Sequence, residues 1–178
     1  MANFDKAFDF ALLHEDPKRT GKTTTDNNGA RVRYGLNEAS NPELTAEGFY
    51  DTMSKDDALI RAKTQYNMKY WASIRGDEIK DDGVGAKIFD MAINMGALEA
   101  IKLAQRSAEM MQQDLDGKIG PHTLGAINAM DSGAMLTNLV AWWNWFIGEE
   151  VKNKPQDINQ VKGWRARAND LPQEGEAV

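Results

Sequence analysis

A chain of 178 residues and 19.8 kDa, 42% hydrophobic and 27% charged, has room for one domain with a substantial core, or for a main domain with a small appended lobe, and not for two large ones. Its 21 lysines and arginines against 27 aspartates and glutamates give a formal net charge of -6, which argues against a general nucleic-acid binder, because neutralising phosphates takes a basic surface. With no cysteine there is neither a disulfide nor a thiolate nucleophile, and two histidines give no basis for a histidine-rich metal site.

The first predicted helix runs from about Asn3, a suitable N-cap, to Glu15, and Pro17 ends it. Phe4, Ala7, Phe8, Ala11 and Leu12 form one apolar stripe, and Glu15 continues it, so its carboxylate is expected to point along the buried face. Desolvation and the negative end of the helix dipole both disfavour a charged carboxylate there, which is what a general acid near neutral pH requires. A helix that frays one residue early would instead turn Glu15 to solvent. His14, about 100° round the helix, is expected to pack or bond locally. The opening "MANFDKAFDFALLHED" is charged too early for a signal peptide, so the expected site of synthesis is the cytoplasm.

The stretch "DPKRTGKTTTDNNGARVRYGLNEAS" carries turn chemistry and room for a short hairpin, and is the expected active-site loop region. Asp26 in it could be the second carboxylate that glycoside hydrolysis usually uses, or an Asx-turn residue. Only "TGK" hints at a phosphate loop, and the full pattern is absent. A second helix starts at Ser54 with Asp57 completing a capping-box-like pattern, and runs through "DDALIRAKTQYNMKYW". A third, "VGAKIFDMAINMG", ends at Gly96 in a left-handed position, and its Asp90 and Asn94 could line a cleft together.

"LEAIKLAQRSAEMM" is a fourth helix, and "DLDGKIGP" a tight turn with Pro121 opening "HTLGAINAM". That turn resembles the beginning of a calcium loop, but Gly125 stands where the twelfth-position glutamate belongs, so calcium is rejected. Ser132 opens the last long helix, "GAMLTNLVAWWNWFIGEEV". Its Trp142, Trp143, Trp145 and Phe146 could bind sugar faces, although aromatics among Leu139, Val140 and Ile147 more often build a core. The run "LVAWWNWFIG" is about half a bilayer span and carries Asn144, so no stable membrane insertion is expected. "KGWRARAND" makes a basic and aromatic patch near the end, suited to an anionic polymer or to closing the fold, and the polar end at 171–178 is expected to be a flexible tail.

Taken in order, these segments resemble the N-acetylmuramidases of glycoside hydrolase family 108, which include phage endolysins. That family has a helix ending in His-Glu-Gly-Gly, a loop closing on Gly-Gly-x-Thr-x-x-Gly-Ile and a helix ending in Tyr-Trp, where this chain has "LLHED", "NNGARVRYGL" and "YNMKYW". It continues with a Phe-Asp helix ending in Asn-x-Gly, a glutamine helix, an Asp-Gly-x-x-Gly-Pro-x-Thr-Leu turn and a closing Gly-Trp-x-x-Arg. The counterparts are "IFDMAINMG", "LAQRSAEMMQQDLDGKIGPHTLGAIN" and "KGWRARAND", so the resemblance spans nearly the whole chain.

The resemblance implies a mainly α, lysozyme-like helical fold with a small polar loop or β-hairpin region. It implies a muramidase region over 1–94 and, over 95–170, a packed helical lobe like the predicted peptidoglycan-binding domain of such proteins. The activity implied is cleavage of the bond between N-acetylmuramic acid and N-acetylglucosamine, without a cofactor, by a monomer acting in phage lysis after holin-mediated release to the periplasm. Glu15 takes the place of the family's catalytic glutamate, Asp26 roughly that of an aspartate before its Gly-Gly, and Tyr34, Tyr70, Asp90 and Asn94 are the implied cleft residues. The departures are "HEDP" for His-Glu-Gly-Gly, a longer loop to Gly35, and Val32 at a position where a threonine is common, a duty that Asp26, Thr24 or Thr25 could take over. A catalytically inactive wall-binding module or a virion structural protein is the alternative.

Overall fold

In the computed structural model, which describes residues 1–172, α1 (Phe4–Glu15) is capped by Asn3, whose side chain accepts hydrogen bonds from the backbone N–H groups of Asp5 and Lys6. The cap satisfies two of the donors a helix start leaves open. The end of the predicted tail, 173–178, lies outside the described residues. At the other end of α1, Asp16 leaves helical geometry, and its carboxylate accepts from the backbone N–H groups of Thr20 at 3.0 Å and Gly21 at 2.8 Å, starting the polar segment.

That segment folds into a three-stranded antiparallel sheet of β1 (Thr24–Thr25), β2 (Arg31–Arg33) and β3 (Leu36–Asn37), in that order. Tyr34 and Gly35 join β2 to β3 with φ of 49° and 75°, the double positive φ of a type I′ hairpin turn. Arg33 fastens the small lobe from inside. Its buried guanidinium donates to the carbonyls of Gly21, Phe49, Met53 and Ser54, so one side chain gathers a stretch with few apolar residues of its own. A short α2 (Pro42–Ala46), which apolar periodicity does not reveal, follows the sheet.

Ser54 caps α3 (Lys55–Tyr66) by accepting from the N–H of Asp57, and a π-helical turn, Asn67–Trp71, extends it. α4 (Asp82–Met95) is the hub: every residue from Val84 to Ala92 is buried, and α1, α5 (Ala97–Ser107) and α7 (Ser132–Asn153) pack around it. Phe4, Phe8, Tyr66, Trp71 and Phe89 fill the space between α1, the π turn and α4 with mostly tilted and edge-on ring contacts. Gly96 has φ 88° and ψ 152°, an extended glycine-only conformation in place of the expected left-handed one, and α5 begins at the next residue.

α5 stops at Ser107, short of the predicted end, and α6 (Pro121–Ala129) opens on its proline. α7 is capped by Asp131, one residue ahead of the expected Ser132. Its aromatic stripe divides: Trp143 is fully buried, while Trp145 is 46% exposed and lies with Trp142 beside the Arg106 guanidinium. α8 (Val161–Asn169) closes the molecule against α7, and a single hydrophobic cluster runs through both halves of the chain. The fold is mainly α and lysozyme-like, as expected, with eight α-helices among the described residues.

Candidate active site

The last turn of α1 brings Glu15 against the β2–β3 turn. A Cβ placed on Gly35 would lie 2.5 Å from Glu15 Oε2 and 2.6 Å from the Tyr66 hydroxyl, so only glycine lets the turn approach the carboxylate this closely. The other carboxylate oxygen, Oε1, lies 2.8 Å from Nη1 of Arg167 on α8. The Glu15 side chain keeps 18% of its surface exposed, so it faces inward without being sealed off. An apolar pocket, the surroundings that the stripe on α1 led us to expect, is replaced by an ion pair. The guanidinium comes from a helix 152 residues away, which α1's own pattern cannot show.

Arg167 also reaches α4: its Nε and Nη2 donate to Asp90 Oδ1 at 3.1 and 2.7 Å. Asp90 has no exposed surface. Burial alone would raise its carboxyl, but the neighbouring His14 and the Arg167 charge together outweigh that and hold it below the usual carboxylate range. Burial works against the Arg167 charge too, and Asp90 and Glu15 reverse the effect, so its pKa rises. His14 stands between two carboxylates, with Nδ1 3.5 Å from Asp90 Oδ1 and Nε2 3.1 Å from Asp170 Oδ2, and its ring packs edge-on against Phe10.

Lys87, fully buried one turn before Asp90, donates to the backbone carbonyls of Arg167 and Asp170 and lies 4.6 Å from the centre of the Trp143 ring. It thereby satisfies carbonyls that the end of α8 leaves open. Burial pushes its ammonium down to about 8, against the opposing pull of Asp90 and Asp170. α8 is therefore docked by two cationic contacts, Lys87 on its backbone and its own Arg167 on Glu15 and Asp90.

The other residues singled out in the sequence are placed as follows. Tyr70 packs on Tyr66 with ring centres 5.7 Å apart; burial first, and then the Glu15 charge, raise its phenol, which puts it on the Glu15 side of the cluster. Tyr34 does not line an open cleft. It is 2% exposed, its hydroxyl donates to the carbonyl of Lys55, and its own carbonyl accepts from Tyr66 at 3.0 Å, so the turn geometry commits it to the core. Asp90 is likewise inside, a structural anion with Arg167 as partner, whereas Asn94 is exposed on the last turn of α4.

Asp26 spends its carboxylate on its own loop. Oδ1 accepts from the N–H groups of Asn28 and Ala30, each at 2.9 Å, and Oδ2 from the Asn37 amide at 2.7 Å, which is the Asx-turn alternative. Val32 sits on β2 opposite Thr24 and Asn37, and the hydroxyl of Thr24 reaches its carbonyl at 3.4 Å. Neither Arg167 nor Lys87 was singled out in the sequence as a site residue. For Arg167 a signal existed in the closing "GWRAR", which otherwise read only as a basic patch; Lys87 in "AKIFD" carries none apart from its spacing to Asp90.

Residues 18–96 match the model of the Glycosyl hydrolase 108 family. The matched stretch is just under half of the chain, from shortly after Glu15 to the turn between α4 and α5, and leaves the C-terminal helices, Arg167 included, outside it. The whole chain is similar in fold to the solved structure described as "Structure of Brucella abortus SagA", with a TM-score of 0.63 and 23% identity over 97% of each chain. No curated protein matches the sequence. The match supports glycoside hydrolysis as the chemistry to test against the geometry, and a partly exposed carboxylate held rigidly at a helix end is suited to handing a proton to a leaving oxygen.

Proposed function

We propose that the protein is a peptidoglycan glycoside hydrolase, an N-acetylmuramidase that cleaves the bond between N-acetylmuramic acid and N-acetylglucosamine with Glu15 as proton donor. The observation that carries this reading is the setting of the Glu15 carboxylate, 18% exposed between Arg167 and the Gly35 turn, next to a segment that matches a glycoside hydrolase family. Glu15 gives its proton to the glycosidic oxygen from Oε2, the oxygen that does not face Arg167. The bond to the anomeric carbon breaks with its electron pair on that oxygen, and water supplies the hydroxyl to the carbon while its remaining proton restores Glu15. The carboxylate left by this step is the form already paired with Arg167 through Oε1, so Glu15 takes up a proton on Oε2 before it acts as donor and returns to that pairing afterwards.

Phage-type lysis fits this activity. In it a monomeric enzyme made in the host cytoplasm reaches the periplasmic wall through a holin lesion, and among the described residues no helix is long and apolar enough to cross a membrane by itself. Val32, at a position where the resembling family often has threonine, favours a second reading, a wall-binding or virion domain without turnover. The deciding experiment digests purified murein and outer-membrane-stripped Gram-negative cells with wild type and Glu15→Gln. New muramic-acid reducing ends from wild type alone establish the muramidase; murein bound without products by both proteins establishes the second reading.

A further inference from the structure

Lys87 and Asp90 are buried charges on α4 that the proposed reaction does not use, and both are spent on one residue of another helix. One turn apart on the same face, they grip Arg167 at its two ends: Lys87 Nζ donates to its main-chain carbonyl at 3.0 Å, and Asp90 Oδ1 accepts from Nε and Nη2 of its guanidinium at 3.1 and 2.7 Å. Docking α8 does not require charges here, since apolar side chains of similar volume hold buried elements together as well as ion pairs do or better. What a buried pair held at two points adds is direction. The guanidinium is a rigid planar fork, so fixing its Nε and Nη2 edge also fixes where Nη1 stands, and Nη1 is the atom that meets Glu15 Oε1 at 2.8 Å.

We propose that Asp90 and Lys87 are positioning residues for the proton donor: they hold Arg167 so that Nη1 takes Glu15 Oε1 and Oε2 is left for the glycosidic oxygen. The inference rests on the muramidase reading and extends it to groups that touch no substrate, since neither Asp90 nor Lys87 has any exposed surface. Glu15 needs such support because it is the last residue of α1, and Asp16 after it has left helical geometry. Among the described residues its carboxylate makes a single ion pair, the one to Arg167, while the Gly35 turn closes on the other oxygen. The aim of that ion pair is decided on α4.

His14 completes the frame from α1 itself, with Nδ1 3.5 Å from Asp90 Oδ1, so the helix that carries Glu15 and the helix that carries Arg167 are registered on the same buried oxygen. Removing that anchor frees Nη1 from its fixed direction, and misplacing a reacting group by about 1 Å costs up to about a hundredfold in rate.

The test compares wild type, Asp90→Leu and Asp90→Asn in the full chain, with initial rates over a range of murein concentrations divided by the fraction of protein folded under the assay conditions. Asp90→Leu is expected to lower kcat per folded molecule at least about tenfold with KM within about twofold, while Asp90→Asn, whose amide oxygen still accepts from Arg167, keeps kcat within about threefold. A residue with a structural role alone would change the folded fraction and leave kcat per folded molecule as it is. Lys87→Met, which frees only the main-chain end of Arg167, takes the place of Asp90→Leu if that variant does not fold, and is expected to lower kcat about threefold or more. The Glu15 side chain is also read directly, from the χ1 and χ2 couplings of isotope-labelled glutamate, with one rotamer expected in wild type and averaged rotamers in Asp90→Leu and Lys87→Met. Unchanged kcat per folded molecule in the variants that fold, or a single unchanged Glu15 rotamer in them, overturns the proposal. Absence of murein products from wild type fails the muramidase reading alone, and the Glu15 rotamers then decide the positioning.

Discussion

Replacing Arg167 with methionine keeps most of the side-chain volume and removes the charge that Glu15 and Asp90 share. Asp90 is fully buried and Arg167 is 14% exposed, so the loss leaves a carboxylate inside the protein with His14 as its remaining contact partner and Lys87 as a more distant charge. Breaking a buried pair in this way costs about 3–5 kcal/mol, because the remaining charge keeps its desolvation penalty and loses its attraction. The pH dependence carries the sign of the argument. In wild type the folded Asp90 carboxyl lies below its unfolded value, so its contribution is complete above about pH 4 and is lost as the pH falls through the folded value. In Arg167→Met, His14 alone is left of the two groups that oppose burial and Asp90 protonates more easily, so the variant's deficit is largest at neutral pH and narrows on acidification. Urea denaturation of both proteins at pH 7 and pH 4.5 measures it, and adding Asp90→Asn to Arg167→Met is expected to recover about 2 kcal/mol. A deficit below about 1 kcal/mol, or one of the same size at both pH values, would refute this account of the cluster.

Gly35→Ala places a methyl 2.5 Å from Glu15 Oε2 at a φ of 75°, so it is expected to lose about 1–2 kcal/mol of stability from the backbone and most of the turnover from displacement of the carboxylate, checked by thermal melting and murein digestion. Lys87 binds its proton less tightly in the folded chain, near 8 against 10.5 when unfolded, so folding gains up to about 1.4 kcal/mol per pH unit between those values. Denaturation midpoints of wild type and Lys87→Met are accordingly expected to diverge in favour of wild type from pH 8 to pH 10, and a gap that does not grow would remove Lys87 as the titrating group. Asp26→Ala forfeits two hydrogen bonds in the β1–β2 connection and one from Asn37 of β3, and is expected to lower stability by about 1–2 kcal/mol. If Asp26 serves the turn and not the reaction, Asp26→Asn retains turnover within about tenfold; complete loss of activity with normal stability would restore it as a catalytic carboxylate.

Local chemistry was enough to determine much of this protein. Asn3 and Ser54 act as caps, Pro121 opens α6, and the inward direction of Glu15 follows from the spacing of Phe8, Ala11 and Leu12 on the same helix. Each of these depends on residues within two turns of one another, where side-chain direction is set by the backbone period. Less could be read where a residue's surroundings come from distant segments. Tyr34 resembles a cleft residue until the type I′ turn and Lys55 take it into the core, and Asp26 could be catalyst or turn residue until Asn37 and two backbone donors claim its oxygens. Only the tertiary structure decided what the charges do. α4 reads as an amphipathic helix but is buried on every side, so Lys87 and Asp90 need counter-groups, and these arrive from α1 and from α8, more than seventy residues away in sequence. Pairing over that distance leaves no period in the chain, because it follows from how three helices pack against one another.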